Sequence, residues 1–488
     1  MLFNSFIFIF YIAILIPIYY FLTPKFRKVL LLLVNFVFYG YWDYRFCSLL
    51  LFISVVDFFV GRQIYLAQNL KEKKVFLFIS LFSNLSVLIF FKYFNFFLIS
   101  LSSVLSTFNI QIDHLHLNLI LPLGISFFIF KSLTYILDVY RGELKPVNSF
   151  LDYALFISFF PQILAGPIER AKNLLPQISV MPRPTKKQFV QGFSLVTTGM
   201  FKKVLIGDTA GKIVDQIFIQ PQYYASSELI MGLVLFSIQI YADFSGYSSI
   251  ARGVSKWLGF ETAINFNQPY LSRNITEFWK RWHISLSTWF RDYLFLPVAY
   301  ALTRKISATK IFGIRHEKII YAITALITFL ACGLWHGASW TFVAWGGLHG
   351  IYLTCHKILT KNKIVTPIYR HKNISGLFQF IIKATATYIL VTFTWLFFRA
   401  ESFGDSVFFI NRILNWEDGD FEFRVLKICV SFILVTFIID FFEYYFNEHE
   451  FWLRLRSEYR YGLAIICWLV IFLYMLQSVP MPFIYLQF

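Results

Sequence analysis

The sequence predicts an all-α polytopic integral membrane protein of about 11–12 transmembrane helices, with additional re-entrant or interfacial helices. Three observations carry this reading. The 488 residues are 58% hydrophobic and 21% aromatic but only 15% charged, too little polar surface for a soluble protein of this length. Apolar runs near the length needed to cross a bilayer recur from Leu2 onward without a long polar insertion. The net charge of +17 gathers between those runs, at Lys25, Arg27 and Lys28, then Lys71, Lys73 and Lys74, then Arg170, Lys172, Arg183, Lys186 and Lys187. Loops rich in lysine and arginine face the cytoplasm. A single membrane domain over residues 1–488 is expected, with no separate soluble domain to carry chemistry.

In chain order, Met1 to Leu22 has no basic leading region and no small-residue cleavage site, so it reads as a retained membrane helix. The basic cluster after it puts the N-terminus outside. Val29 to Trp42 and Phe46 to Val60 flank Gly40-Tyr-Trp-Asp43, a tight hairpin returning to the basic loop at Gly61 to Lys74. Nine further spans follow: Val75–Phe91, Leu119–Val139, Phe189–Leu205, Leu229–Phe244, Ile319–Leu334, Ala338–Thr354, Phe378–Phe398, Ile428–Phe442 and Ala464–Leu476. Asn95–Leu105 and Phe150–Ile163 are apolar but awkwardly flanked, and read as re-entrant or interfacial.

Charges inside these runs are expected to pair between helices. Lys131 and Asp138 share a helix face, and Asp57 and Asp440 stand in apolar surroundings. The basic loops suit anionic lipid and an anionic cytoplasmic donor, such as a coenzyme A thioester or an acidic carrier protein. Nucleic acid is excluded, because no basic segment is interleaved with aromatics outside the hydrophobic framework. The five cysteines, Cys47, Cys332, Cys355, Cys429 and Cys467, form no C-x-x-C pair and read as buried small hydrophobes. Cys332 shares a helical face with His336, so a Cys-His nucleophile is a minor alternative.

The chemistry centres on His336, in Gly333-Leu-Trp-His-Gly-Ala-Ser-Trp340. The surrounding stretch from Ile319 to Cys355 contains no Asp, Glu, Lys or Arg. A group able to carry a proton is costly in hydrocarbon, so its presence there points to function. A neutral imidazole can take a proton from a hydroxyl as that hydroxyl attacks an acyl group. Gly333 with Gly337, and Gly346 with Gly350, are small-xxx-small pairs that bring helices close and leave room for a thin substrate.

Residues 265–300 differ from every span, because charge and aromatics alternate at helical spacing. Asn274 is expected to cap a helix with Glu277 as its reciprocal partner. Ile275, Phe278, Trp282 and Leu286 then form one apolar stripe on an interfacial or half-inserted helix. His283 borders that stripe, and Ile319–Leu334 has room to return and place His336 opposite it. The catalytic candidates are therefore His336 and His283, with Asp243, Trp335 and Trp282 as substrate-binding candidates; Asp243 also suits an interhelical anchor. No metal site is expected, since His336 and His349 are thirteen residues apart and would stand about 20 Å from each other if one continuous helix carried both. The G-x-S-x-G elbow of a serine hydrolase is missing from the sequence.

Five segments together resemble the membrane-bound O-acyltransferase family, in its bacterial alginate O-acetylation branch. They are Ala165-Gly-Pro-Ile-Glu-Arg170, Gln239-Ile-Tyr-Ala-Asp-Phe-Ser-Gly-Tyr-Ser248, the run from Phe266 to Leu294, Gly333-Leu-Trp-His-Gly-Ala-Ser-Trp-Thr-Phe342 and Thr394-Trp-Leu-Phe-Phe-Arg-Ala-Glu-Ser402. The resemblance implies a many-helix fold around a central funnel or tunnel. It matches His336 to the family's essential histidine and His283 to its second active-site polar position. It also implies a bacterial plasma-membrane protein with no tightly bound cofactor, using acetyl-CoA or another acyl thioester as donor. The implied acceptor is an exopolysaccharide or other cell-surface glycan, often reached through an extracytoplasmic acetyltransferase partner.

The related D-alanyl branch, which acylates teichoic acid-like polymers from a carrier protein, shares both histidines and is the nearest alternative. A transporter with histidine proton relays is the alternative from another class, although no pair of broken helices repeats in two halves. One departure bears on the glycan: after Tyr293-Leu-Phe-Leu-Pro297 the alginate enzymes continue with a Gly-Gly-Asn-Arg type turn, and this chain has Val298-Ala-Tyr-Ala-Leu-Thr-Arg-Lys305.

Overall fold

In a bilayer each backbone N–H and C=O must be satisfied inside its own segment, so apolar runs become helices. The computed structural model describes residues 1–110, 117–164, 166–306, 310–311, 314–360, 374–417 and 423–486. Ala165, which opens the first family-like motif, lies outside the described residues. Chain contacts define two compact units: Met1–Val196 with Tyr247–Ala263 and Tyr485–Phe488, and Thr197–Gly246 with Ile264–Ile484.

The first unit begins with α1 (Phe6–Phe21), α2 (Pro24–Gly40), α3 (Cys47–Leu66) and α4 (Leu70–Leu88). Ser5 and Asn69 cap α1 and α4 by accepting from Phe8 N and Glu72 N, satisfying N–H groups that have no intrahelical partner. A π-helical stretch, Ile89–Tyr93, joins α4 to α5 (Phe94–Ser106), so the awkward apolar run at Asn95–Leu105 continues a helix. Then come α6 (Ile125–Tyr140), α7 (Phe150–Ser158), α8 (Phe160–Ile163), α9 (Ala171–Val180) and α10 (Lys186–Met200).

Polar pairing ties this unit together. Asp57 accepts from Ser80 Oγ at 2.6 Å, Asn84 Nδ2 at 2.7 Å and Ser132 Oγ, linking α3, α4 and α6. Lys131 reaches Gln162 Oε1 at 2.9 Å. Each hydrogen bond to a charged group contributes roughly 1.5–3 kcal/mol, which offsets part of the cost of taking these groups out of water.

The chain continues through α11 (Asp208–Ile219), α12 (Ser226–Trp257), α13 (Ile275–Arg281), α14 (Ile284–Phe290) and α15 (Leu296–Lys305). The residues that depart from the alginate pattern simply extend α15. A two-residue antiparallel pair, Lys310–Ile311 with Ile314–Arg315, precedes α16 (His316–His336) and α17 (Trp340–Leu359). The last helices are α18 (Ile374–Arg399), α19 (Phe403–Asn415), α20 (Phe423–Phe446) and α21 (Ser457–Gln477). All twelve expected spans overlie helices, and seven helices among the described residues are long and apolar enough to cross a membrane.

Candidate active site

His283, His336, Asp243, Trp282 and Trp335 all belong to the second unit. Asn274 caps α13 as its sequence predicts, accepting from Glu277 N at 2.9 Å. The reciprocal half differs: Glu277 Oε2 accepts from Arg273 N at 3.1 Å, and the same carboxylate holds the Arg273 and Arg281 guanidiniums. Glutamate is thus drawn to two cations rather than closing the capping box.

The apolar stripe is buried at all four positions, Ile275, Phe278, Trp282 and Leu286, yet the helix carrying it is broken. The break falls at His283, whose φ of 42° lies in the left-handed region. Asn265, eighteen residues earlier, explains it. The Asn265 carbonyl accepts from Ile284 N at 2.9 Å, and its side-chain Oδ1 accepts from Ser285 N at 3.2 Å and Ser285 Oγ at 2.9 Å. These bonds replace the helical ones lost at the break and start α14. His283 Nδ1 is 3.1 Å from the same Oδ1. An oxygen already accepting from a backbone N–H fixes the tautomer: Nδ1 carries the proton and Nε2 keeps the lone pair. His283 lies outside the membrane-spanning helices, and burial lowers its pKa to about 3, so the ring is neutral at physiological pH.

His336 closes the last turn of α16 and is 3% exposed. The hairpin from α16 to α17 brings the two helices into glycine contact. A Cβ added at Gly333 would strike the Phe342 carbonyl, and one at Gly346 would strike the Phe329 carbonyl. Close approach packs His336 among aromatic rings: Trp335 at 4.9 Å, Trp345 at 4.9 Å and Phe398 at 5.2 Å between centroids. The His283 ring stands 6.0 Å from the Trp335 ring. One indole therefore faces both histidines. Trp282 is enclosed by Phe266 at 5.0 Å, Phe278 at 5.5 Å and Trp395 at 5.0 Å.

Two indoles that the sequence reading passed over stand at this site. Trp345 and Trp395 are both 0% exposed and lie 5.9 Å apart, and neither Nε1 has a hydrogen-bond partner among the described residues. A buried donor left without an acceptor costs about 1–3 kcal/mol and calls for an explanation such as a ligand or a catalytic role. His349 is committed differently. Trp279 Nε1 donates to its Nδ1 at 3.3 Å, so Nε2 carries the proton and donates to Thr394 Oγ1 at 3.0 Å. That ring ties α13, α17 and α18 and leaves no lone pair for proton transfer.

Asp243 is engaged by the protein itself. Its Oδ1 lies 2.8 Å from Lys203 Nζ, and its Oδ2 accepts from Ile484 N at 2.9 Å. Lys203 also binds Asp208 at 2.7 Å. The segment so held places Phe483 at 5.2 Å from Phe244, which meets His283 edge-on at 4.6 Å. Lys203→Met leaves two buried carboxylates without their cation. It is expected to destabilise the fold by roughly 3–5 kcal/mol, read as lower yield and a lower Tm in detergent; an unchanged Tm contradicts the anchor.

Fold and site together define a multi-pass membrane protein with an enclosed two-histidine site. The chain belongs to the membrane-bound O-acyltransferase family, whose profile matches residues 140–398, and it is an O-acyltransferase. It is 34% identical to the probable alginate O-acetylase of Pseudomonas aeruginosa over 82% of this chain and 72% of that protein. It is 29% identical to a peptidoglycan O-acetyltransferase of Helicobacter pylori over 96% of this chain and 92% of that protein. A teichoic acid D-alanyltransferase of Bacillus subtilis is 32% identical over 50% of this chain and 61% of that protein.

Proposed function

We propose that this protein sits in a bacterial plasma membrane with its N-terminus outside. There it transfers an acetyl group from cytoplasmic acetyl-CoA to hydroxyls of a cell-surface polysaccharide, directly or through an extracytoplasmic acetyltransferase partner. The observation that carries the chemistry is the pair of buried histidines on the indole of Trp335. In the proposed step His336 takes the acceptor hydroxyl's proton as that oxygen attacks the thioester carbonyl carbon. The C–O bond forms, the C–S bond breaks, and the proton passes from the imidazolium to the departing thiolate. His283, neutral with its Nε2 lone pair, accepts a hydrogen bond from a neighbouring hydroxyl of the glycan and so aims the attacking one. Trp335 and Trp282 wall the reactants, and the carbonyl oxygen, which gains charge, takes the N–H groups of Trp345 and Trp395.

Trp345→Phe keeps an aromatic ring, smaller than the indole, and removes one donor. It is expected to lower kcat about 100-fold, the lower end of the range for losing one such donor, with KM for the thioester within about twofold. An unchanged kcat removes the donor role.

Acetyl rather than D-alanyl transfer is favoured because the two acetylase relatives align over 82% and 96% of this chain and the D-alanyltransferase over 50%. The direct comparison supplies purified protein with radiolabelled acetyl-CoA or with a D-alanyl carrier protein, each with a polysaccharide acceptor. Label on the glycan only from acetyl-CoA supports the proposal. Label only from the carrier protein replaces it with the D-alanyl reading, and solute flux without thiol release replaces it with transport.

A further inference from the structure

One side chain holds the His283 ring. Asn265 Oδ1 accepts from Ser285 N at 3.2 Å and Ser285 Oγ at 2.9 Å, and faces His283 Nδ1 at 3.1 Å. A backbone N–H can only donate, so the atom turned to Ser285 N is the oxygen and the amide has one orientation. That orientation leaves Asn265 Nδ2, in a residue 1% exposed, without a hydrogen-bond partner among the described residues. A buried amide donor left unmade is destabilising.

Aspartate in its place would leave no such orphan. A carboxylate has nearly the same shape, only accepts, and could take the same three donors with no N–H left over. The chain does bury a carboxylate of that kind: Asp57, 0% exposed, accepts from Ser80 Oγ, Asn84 Nδ2 and Ser132 Oγ. What separates the two residues at position 265 is a charge beside an imidazole. A carboxylate against Nδ1–H favours the imidazolium, whose Nε2 carries a proton and accepts nothing. The amide holds the same proton on Nδ1 without drawing a second one to Nε2. Around the ring stand Phe244 at 4.6 Å, Phe266 at 6.4 Å and Trp335 at 6.0 Å, none of them charged. The titratable groups next along those elements are His336, which shares the Trp335 ring, and Asp243, which is paired with Lys203 at 2.8 Å.

We propose that Asn265 is the positioning residue of the transfer: an uncharged acceptor that holds Nδ1–H and leaves Nε2 of His283 to accept from the glycan across the working pH range. The assignment rests on the hydroxyl-aiming role of His283. The test compares purified wild type and Asn265→Asp between about pH 5 and 8, the range in which imidazoles titrate. It measures kcat/KM for the cells' own surface polysaccharide, deacylated with base, with acetyl-CoA as donor. At about pH 8 the two proteins are expected to agree within about threefold. At about pH 5 the variant is expected to fall about tenfold further behind, the upper end for one lost hydrogen bond. An asparagine with a structural part alone would shift every pH alike.

NMR of ¹⁵N-histidine reads the ring itself, with His283 assigned by its absence from His283→Gln. Wild type is expected to show a neutral ring protonated on Nδ1 at both ends of the range, and Asn265→Asp an imidazolium at the acid end. Should Asn265→Asp fail to accumulate, the wild-type signal decides: a neutral ring protonated on Nε2, or an imidazolium at about pH 5, overturns the proposal. So does an activity ratio between the two proteins that does not change with pH. Wild type that transfers no acetyl group at any pH fails the proposed reaction instead, and the spectra still support or overturn what Asn265 does to His283.

Discussion

Cells carrying His336→Ala in place of the wild-type chain are expected to lose glycan acylation by at least about 10²-fold, the lower bound for removing a general acid–base group, while the protein still accumulates in the membrane. Three aromatic rings surround the imidazole, at 4.9, 4.9 and 5.2 Å. Removing it opens a small space at the end of α16 but breaks none of the glycine contacts that hold the hairpin. Stability and activity should therefore separate. His336→Gln, which keeps bulk and hydrogen bonding but cannot carry the proton, is expected to be as inactive as the alanine variant. His349→Ala provides the contrast, because that ring is a structural tie between Trp279 and Thr394; its loss is expected to lower Tm and yield before it lowers the activity of the folded fraction. Quantifying base-labile esters on the glycan against membrane protein level checks all three.

Gly333→Val is expected to prevent the protein from accumulating. Its Cβ would enter the Phe342 carbonyl, and Gly346 Cα is only 3.4 Å from the same point, so α16 and α17 would have to move apart as whole helices. Overpacking a close contact costs about 1–3 kcal/mol and more where only backbone can yield. The same separation would pull Trp345 from His336, so any protein that did accumulate would be inactive. Gly346→Leu meets the Phe329 carbonyl from the other helix and is expected to behave alike. Gly347 is the internal control. A Cβ there meets only Leu330 Cδ2 at 3.7 Å, so Gly347→Ala is expected to be neutral or to stabilise by up to about 1 kcal/mol through helix propensity. Normal accumulation of Gly333→Val, measured by size-exclusion profile and Tm, would contradict the close-packed hairpin.

His336 was legible because a single titratable ring in a long run without Asp, Glu, Lys or Arg is conspicuous, and the small residues around it announced a close helix pair. The spans were legible for a related reason: apolar length decides helix in hydrocarbon, whatever the neighbours. His283 was legible as a residue but not as a shape. Periodicity through Trp282 and Leu286 reads as one helix, and the stripe is indeed buried, but Asn265 supplies from eighteen residues away the acceptors that break it. No local pattern encodes a partner at that distance. Trp345 and Trp395 were passed over because an indole in an apolar helix ordinarily packs; only the packed structure shows that their N–H groups reach no acceptor. Lys203 reads in sequence as one more cation of a basic protein, and only the fold reveals Asp208 and Asp243 against it.

If His336 moves the proton in acyl transfer from a thioester to a hydroxyl, both thiol release and ester formation depend on its imidazole. The most direct test follows free thiol released from acetyl-CoA by the purified protein in detergent, alongside labelled ester on a polysaccharide acceptor, for wild type and His336→Ala at equal Tm. Acceptor-dependent thiol release matched by ester formed is expected in wild type, with both lost in the variant. Thiol release and ester formation persisting at the wild-type rate in His336→Ala would contradict it.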